Sequence, residues 1–295
     1  MDERTRTDEG AQVHEGAGIN EGAGIKEGAL GGIRPSTSAP STPSAPSTPS
    51  ASPPPVPVLM YHVIGDNDGP LRGLYVSKED FTAQVRMLKE KGYETIRMSD
   101  LFDYLNGEGG LPARPVVLTF DDGYESVYRD AYPILKDAGF VAALFLQTNL
   151  LGRPGGLSVN AVREMLDYGF DLGAHTINHP DLTRCKPFQL EREIAGSKKA
   201  LEDAFGVPVS WFAYPAGRYD ETVVRAVGEA GYLMGFTTEY GFVEKESAEL
   251  LILPRVRVDR SDGADGLLKK LSMPKKPCAG KETQEGMNRY EHGEG

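Results

Sequence analysis

The chain has 295 residues, 39% of them hydrophobic, which is enough for one large domain or two small ones, and a formal net charge of -11. That charge argues against a nucleic-acid partner, which requires basic patches to displace counterions from phosphates, and favours a neutral substrate. Two cysteines, Cys185 and Cys278, are too few for a disulfide-stapled scaffold, so free thiols are expected.

From Met1 to about Ser52 large apolar side chains are almost absent, so this stretch cannot bury enough surface to offset its ordering entropy. A short imperfect repeat, such as Asn20-Glu21-Gly22-Ala23-Gly24-Ile25, is too brief and glycine-rich for a solenoid. Pro35 to Pro55 alternates Pro, Ser, Thr and Ala, a composition that favours extended polyproline II and suits a tether. The expected organisation is a disordered extension over 1–55, a folded domain over 56–274 and a disordered tail over 275–295. No apolar run approaches the ~20 residues of a membrane span, and Met1-Asp2-Glu3-Arg4 lacks the basic flank and apolar core of an export signal. The chain is expected to act as a monomer.

Beyond residue 55 short apolar runs alternate with amphipathic segments of helical length, as in a β/α protein with a mostly parallel sheet. The first run is Val56 to Tyr61. Ser77-Lys78-Glu79-Asp80 then reads as a helix cap, with Phe81, Val85 and Leu88 on one face of the helix that follows. Further strands are expected at Tyr93 to Arg97, Val116 to Phe120, Val141 to Gln147, Phe170 to Ala174, Val209 to Ala213, Tyr232 to Thr237 and Leu253 to Val258. The clearest later helices are Ser158 to Tyr168, Phe188 to Phe205 and Asp220 to Ala230. The pattern predicts an α/β fold, a distorted or incomplete (β/α) barrel with about seven strands.

Four of these strands end in chemistry: Tyr61-His62, Asp121-Asp122, His175 and the turn Tyr214-Pro215-Ala216-Gly217. The carboxyl ends of barrel strands share one face, so residues far apart in sequence converge there. Asp-Asp-Gly alone is usually a turn, and two histidines four apart occur by chance. Here, however, a buried run, Val116 to Phe120, delivers two adjacent carboxylates to one place, which is costly without a counter-ion. One of the two carboxylates with His175 and His179, read as one side of a helical turn, makes a metal site with open positions. The other carboxylate then lies where it can take a proton from water.

Thr119-Phe120-Asp121-Asp122-Gly123, His175-Thr176-x-x-His179 and Tyr214-Pro215-x-Gly217 together resemble the polysaccharide deacetylases of the NodB-homology group, carbohydrate esterase family 4. The resemblance runs from about Val56 to Val258. It implies Asp121 as general base and Asp122, His175 and His179 as ligands of a divalent metal ion, zinc first, with cobalt, nickel and iron also compatible. It also implies Ala216, through its backbone N–H in the turn that Tyr214 and Gly217 bound, as oxyanion donor; by residue type, the aromatic rings of Tyr124 and Tyr214 are candidates to stack on substrate sugars. Leu59-Met60-Tyr61-His62 is similar to the Leu-x-His motif of typical members, which makes His62 the candidate general acid. In the branch acting on biofilm poly-N-acetylglucosamine this element comes first in the chain, as here. Typical members place an arginine where this chain has Ala213, and Arg255 is the candidate replacement for orienting the base. Thr176 is expected to brace the histidine loop, and Trp211 to pack in the core.

The activity implied is removal of N-acetyl groups from an N-acetylglucosamine polysaccharide or oligosaccharide, with work at the cell envelope. A three-ligand divalent ion would lower the pKa of bound water toward about 7 and polarise the amide carbonyl. An O-acetyl carbohydrate esterase would use the same residues with less need of the acid, and a degenerate sugar-binding module would not need all four of Asp121, Asp122, His175 and His179.

Overall fold

The computed structural model describes residues 55–66 and 72–273. The expected extension up to residue 54 and the tail from 275 lie outside the described residues. In chain order the elements are β1 (Val58–Tyr61), β2 (Val63–Ile64), β3 (Tyr75–Val76), α1 (Lys78–Glu90), β4 (Glu94–Thr95), α2 (Met98–Asn106), β5 (Pro115–Asp122), α3 (Tyr132–Ala138), β6 (Ala143–Leu146), α4 (Val159–Tyr168), β7 (Asp171–Ala174), α5 (Pro187–Phe205), β8 (Trp211–Ala213), α6 (Glu221–Glu229), β9 (Met234–Tyr240), β10 (Leu253–Arg257) and α7 (Gly263–Leu271).

Seven of the strands close a ring in the order β1-β10-β9-β8-β7-β6-β5, with β5 returning to β1, and every pairing is parallel. The fold is therefore a distorted (β/α) barrel. Parallel strands covered on both faces read as continuous apolar runs, and all eight residues of β5 are buried accordingly. The expected strand at Tyr93 to Arg97 forms only as the two-residue β4, which does not enter the ring. It pairs with β5 at Glu94↔Pro115 and Thr95↔Val116, ahead of the point, Thr119, where β6 takes over the same edge. The opposite edge of β5 belongs to β1, through Val58↔Val117 to Tyr61↔Phe120.

Alternation along the strands divides the core in two. Val58, Val117, Phe145, Ala213, Met234 and Phe236 point into the barrel and pack with Met98, Leu101 and Tyr104 of α2. Leu59, Tyr61, Leu118, Phe120, Leu144 and Leu146 point outward to Phe81, Val85, Leu88 and the other outer helices. Asp171, the first residue of β7, accepts from Met98 N–H at 2.8 Å and from the Arg97 guanidinium at 2.7 Å, which fixes α2 across the amino end of the ring. That end is plugged, leaving the carboxyl end for the site.

Three helix starts carry the side-chain caps their sequences announce. Ser77 accepts from Asp80 N–H, Ser158 from Ala161 N–H and Asp220 from Val223 N–H. Each such cap stabilises its helix by about 1 kcal/mol.

Candidate metal and carboxylate site

Register brings the candidate residues together. Tyr61 pairs with Phe120, so His62 and Asp121 emerge side by side from β1 and β5; Asp122, Leu146 and Ala174 share one level across β5, β6 and β7, so His175 follows directly beside Asp122. Successive residues of a regular strand point to opposite faces, which would separate the two carboxylates. Asp122 escapes this by leaving strand geometry at φ 70°. Both carboxylates consequently reach the rim.

Their surroundings differ. Asp121 is buried and receives Arg255 in a bidentate pair, Nη1 to Oδ1 at 2.7 Å and Nη2 to Oδ2 at 2.6 Å. Arg255 also donates from Nε to Thr237 O at 2.9 Å and from Nη1 to Thr119 Oγ1 at 3.1 Å, and Thr119 passes its own proton to Leu59 O at 2.8 Å. Burial by itself would raise the Asp121 carboxyl, but the Arg255 charge and hydrogen bonds outweigh it and hold the group well below the usual carboxylate range. Asp122 has no guanidinium in contact. Burial pushes it up, opposed by His175 and His179, whose Nε2 atoms lie 3.6 and 3.7 Å from its Oδ1.

His175 is buried, and its Nδ1 donates to Ala213 O at 2.7 Å, which leaves Nε2 with a lone pair facing Asp122. Burial lowers its pKa to about 4, so the ring is neutral, the form that binds metals. His179 does not lie on a helical turn, the one point where the spacing misleads. The segment from His175 to His179 is an irregular loop, with Thr176 at φ 66° and His179 at φ 55°, closed by the Thr176 hydroxyl accepting from His179 N–H at 2.9 Å. The loop still delivers both imidazoles to one carboxylate. Donor atoms of Asp122, His175 and His179 all lie within 4.8 Å of one another. Ligands held at about 2 Å from a shared tetrahedral ion stand roughly 3–4 Å apart, so this donor set fits a divalent metal, and an under-compensated buried carboxylate is what such a cation would stabilise.

His62 Nε2 lies 4.0 Å from Asp121 Oδ2. Burial pushes its pKa down to about 4, with the Asp121 charge acting against the shift. Tyr124 is half-buried beside Asp122, and burial together with that carboxylate raises its hydroxyl to about 12. Ala216 is exposed at φ 51° in the turn after β8. Gly217 follows at φ 68°, where a Cβ would stand 2.0 Å from Thr238 Oγ1, so only glycine lets the turn lie this close to β9. Asp122, Thr176, His179 and Ala216 are the only non-glycine residues with positive φ among the described residues, and all four are at this rim.

Tyr214 is a correction to the expected substrate contacts. Its ring is fully buried, packed edge-on against Phe212, and its hydroxyl donates to Leu251 O at 2.7 Å, so it cannot stack on a sugar. Trp211 lies in the interior cluster near Phe102. Thr119 is the residue that motif spacing did not single out; its signal is a lone hydroxyl inside the apolar run Val116 to Phe120.

Residues 108–235 match the family model for polysaccharide deacetylase. The Bacillus subtilis (strain 168) protein YxkH, grouped by name with the polysaccharide deacetylases, is 35% identical over 214 residues, covering 72% of this chain and 74% of its own. The poly-beta-1,6-N-acetyl-D-glucosamine N-deacetylase of Staphylococcus aureus (strain MSSA476) is 26% identical over 214 residues, covering 68% and 73%. Among solved structures, the Streptococcus pyogenes deacetylase PplD in complex with acetate superposes with a TM-score of 0.70 at 30% identity, covering 74% of this chain and 99% of that one. The chain belongs to the polysaccharide deacetylase family, a family of hydrolases.

Proposed function

We propose that this chain is a metal-dependent N-deacetylase that removes acetyl groups from an N-acetylglucosamine-containing polysaccharide and releases acetate, with zinc as the expected ion. The observation carrying the reading is the division of labour between adjacent carboxylates: Asp121 is held by Arg255, while Asp122 faces His175 and His179. The similarity to the S. aureus enzyme supports the sugar assignment.

Asp122, His175 and His179 would hold the ion, which when bound supplies Lewis acidity that activates water and polarises the acetyl carbonyl near neutral pH. Asp121, kept ionised by Arg255, accepts the proton that water loses as its oxygen bonds to the carbonyl carbon. The Ala216 backbone N–H donates to the oxyanion that develops. As the carbon–nitrogen bond breaks, the leaving nitrogen takes a proton from the imidazolium form of His62, which returns to neutral imidazole; its Nε2 is close enough to Asp121, at 4.0 Å, for the two to share proton traffic through the substrate or one water. The products are acetate and a free amine. We place this activity in residues 56–274, so deleting 1–52 is expected to leave acetate release from short oligosaccharides intact.

The lowered pKa of His62, which leaves little imidazolium near neutral pH, favours a second reading, O-acetyl ester hydrolysis, because an alkoxide leaves with less help from an acid than an amine does. Acetate release from β-1,6-linked poly-N-acetylglucosamine, chitin oligomers, peptidoglycan and acetylated xylan, with chelator treatment and Asp121→Asn as controls, tests both. Release only from the xylan overturns the N-deacetylase assignment, and release undiminished by chelator overturns the metal.

A further inference from the structure

Of the three candidate ligands, His175 is anchored by its strand and by Ala213 O, whereas His179 sits in a loop with its side chain 37% exposed. What holds that loop is a carboxylate outside the site. Glu193 is the only charged residue on the buried face of α5, among Leu190, Ile194, Ser197, Leu201 and Phe205. One of its oxygens accepts from two consecutive amides, Ile177 N–H at 3.0 Å and Asn178 N–H at 2.8 Å, and the other accepts from Asn178 Nδ2 at 2.7 Å. Two successive backbone N–H groups converging on one oxygen form an anion-binding nest, and here the anion belongs to the protein itself.

The helix is shaped to make this delivery. Gly196 lies one turn beyond Glu193, and a Cβ there would stand 3.2 Å from Ile177 Cδ1, tighter than normal contact, so the glycine lets α5 approach the loop. On the loop's other side Thr148 N–H donates to Thr176 O at 3.1 Å and Asn149 N–H to Ile177 O at 3.0 Å. The left-handed conformations at Thr176 and His179 are therefore over-determined from both flanks, the condition under which strained backbone persists.

We infer that Glu193 is a positioning residue for metal capture: its buried carboxylate moulds the Ile177–Asn178 turn and thereby presents the His179 imidazole to the ion. The inference rests on the metal reading above. It explains why a helix whose other inward residues are uncharged buries a carboxylate against neutral donors. Partners that orient a metal ligand from behind are worth about 10–100-fold in affinity.

The test is zinc binding to the full-length chain, read by chelator competition, together with amide hydrogen exchange of the 175–181 segment in metal-free protein. Glu193→Ala is expected to weaken zinc at least tenfold and to remove protection of that segment before metal is added. Glu193→Gln, which can keep all three contacts if the Asn178 amide turns over, is expected to restore most of both. Ser197→Ala, which removes a buried hydroxyl bond to Ile194 O on the same helix without touching the loop, is expected to leave zinc affinity unchanged. Should Glu193→Ala prevent folding, Asn178→Ala removes one contact from an exposed position and is expected to weaken zinc to a smaller degree. Unchanged zinc affinity and unchanged exchange in the Glu193 or Asn178 variants overturn the inference, as does an equal loss in Ser197→Ala. Wild-type protein that binds no zinc overturns the metal reading and with it the role given to Glu193, while the exchange data separately show whether the carboxylate orders the loop.

Discussion

Arg255 on β10 and Asp121 on β5 meet across the barrel through two hydrogen bonds of 2.7 and 2.6 Å, with both side chains buried. A guanidinium thus reaches the aspartate from β10, while position 213 on β8 is alanine. Removing one partner of a buried pair leaves an uncompensated charge, so Arg255→Met is expected to cost about 3–5 kcal/mol at pH 7, measured by urea unfolding. The pH dependence has a definite sign. Because the folded-state Asp121 carboxyl is held below its ordinary range, the stabilisation it gives is complete above the unfolded value near 4 and is lost as pH falls toward the depressed value. The stability gap between wild type and Arg255→Met is therefore expected to widen from pH 3 to pH 7. A gap independent of pH contradicts the pairing.

Metal content separates the two adjacent aspartates. Asp122→Ala, His175→Ala and His179→Ala are each expected to lower zinc retained after dialysis, measured by atomic emission, because each removes one of the three clustered donors. Asp121→Asn is expected to keep its zinc and slow turnover on the order of 10²-fold or more. Loss of zinc from Asp121→Asn with retention in Asp122→Ala would reverse the assignment.

His62 tests the leaving group. General-acid assistance is worth about 10²–10⁴-fold, so His62→Ala is expected to lose that much kcat on an N-acetyl substrate while losing far less on an activated acetyl ester. Equal losses on both would place His62 in structure rather than in proton delivery.

Tyr214 makes the opposite forecast. Its hydroxyl serves Leu251 O inside the protein, so Tyr214→Phe is expected to lose about 1 kcal/mol of stability in thermal or urea unfolding with KM unchanged. A raised KM without loss of stability would return the ring to the sugar-binding surface.

Much of this architecture can be read from residue pattern, and the departures have physical causes. Strands such as Val116 to Phe120 are legible because burial on both faces leaves no polar alternation. The Tyr93 to Arg97 segment carries Glu94 and Arg97 among its residues and contributes only β4, since entry into the ring also depends on which neighbour claims each edge of β5, a tertiary matter. His175 and His179 are legible as a pair, but their loop conformation is imposed by Glu193 and Thr176, contacts that periodicity does not encode. Helix α3 has only 7 residues, and so short an amphipathic stretch gives a weak periodic signal.

The direct pairing of β1 with β5 also has a chemical consequence. Neighbouring strands lie about 4.8 Å apart, so an eighth stave inserted between β1 and β5 would carry His62 a full strand width from Asp121. The pair now stands 4.0 Å apart, within reach of one shared molecule. How many staves close the cask therefore sets whether proton acceptor and donor can serve the same bond.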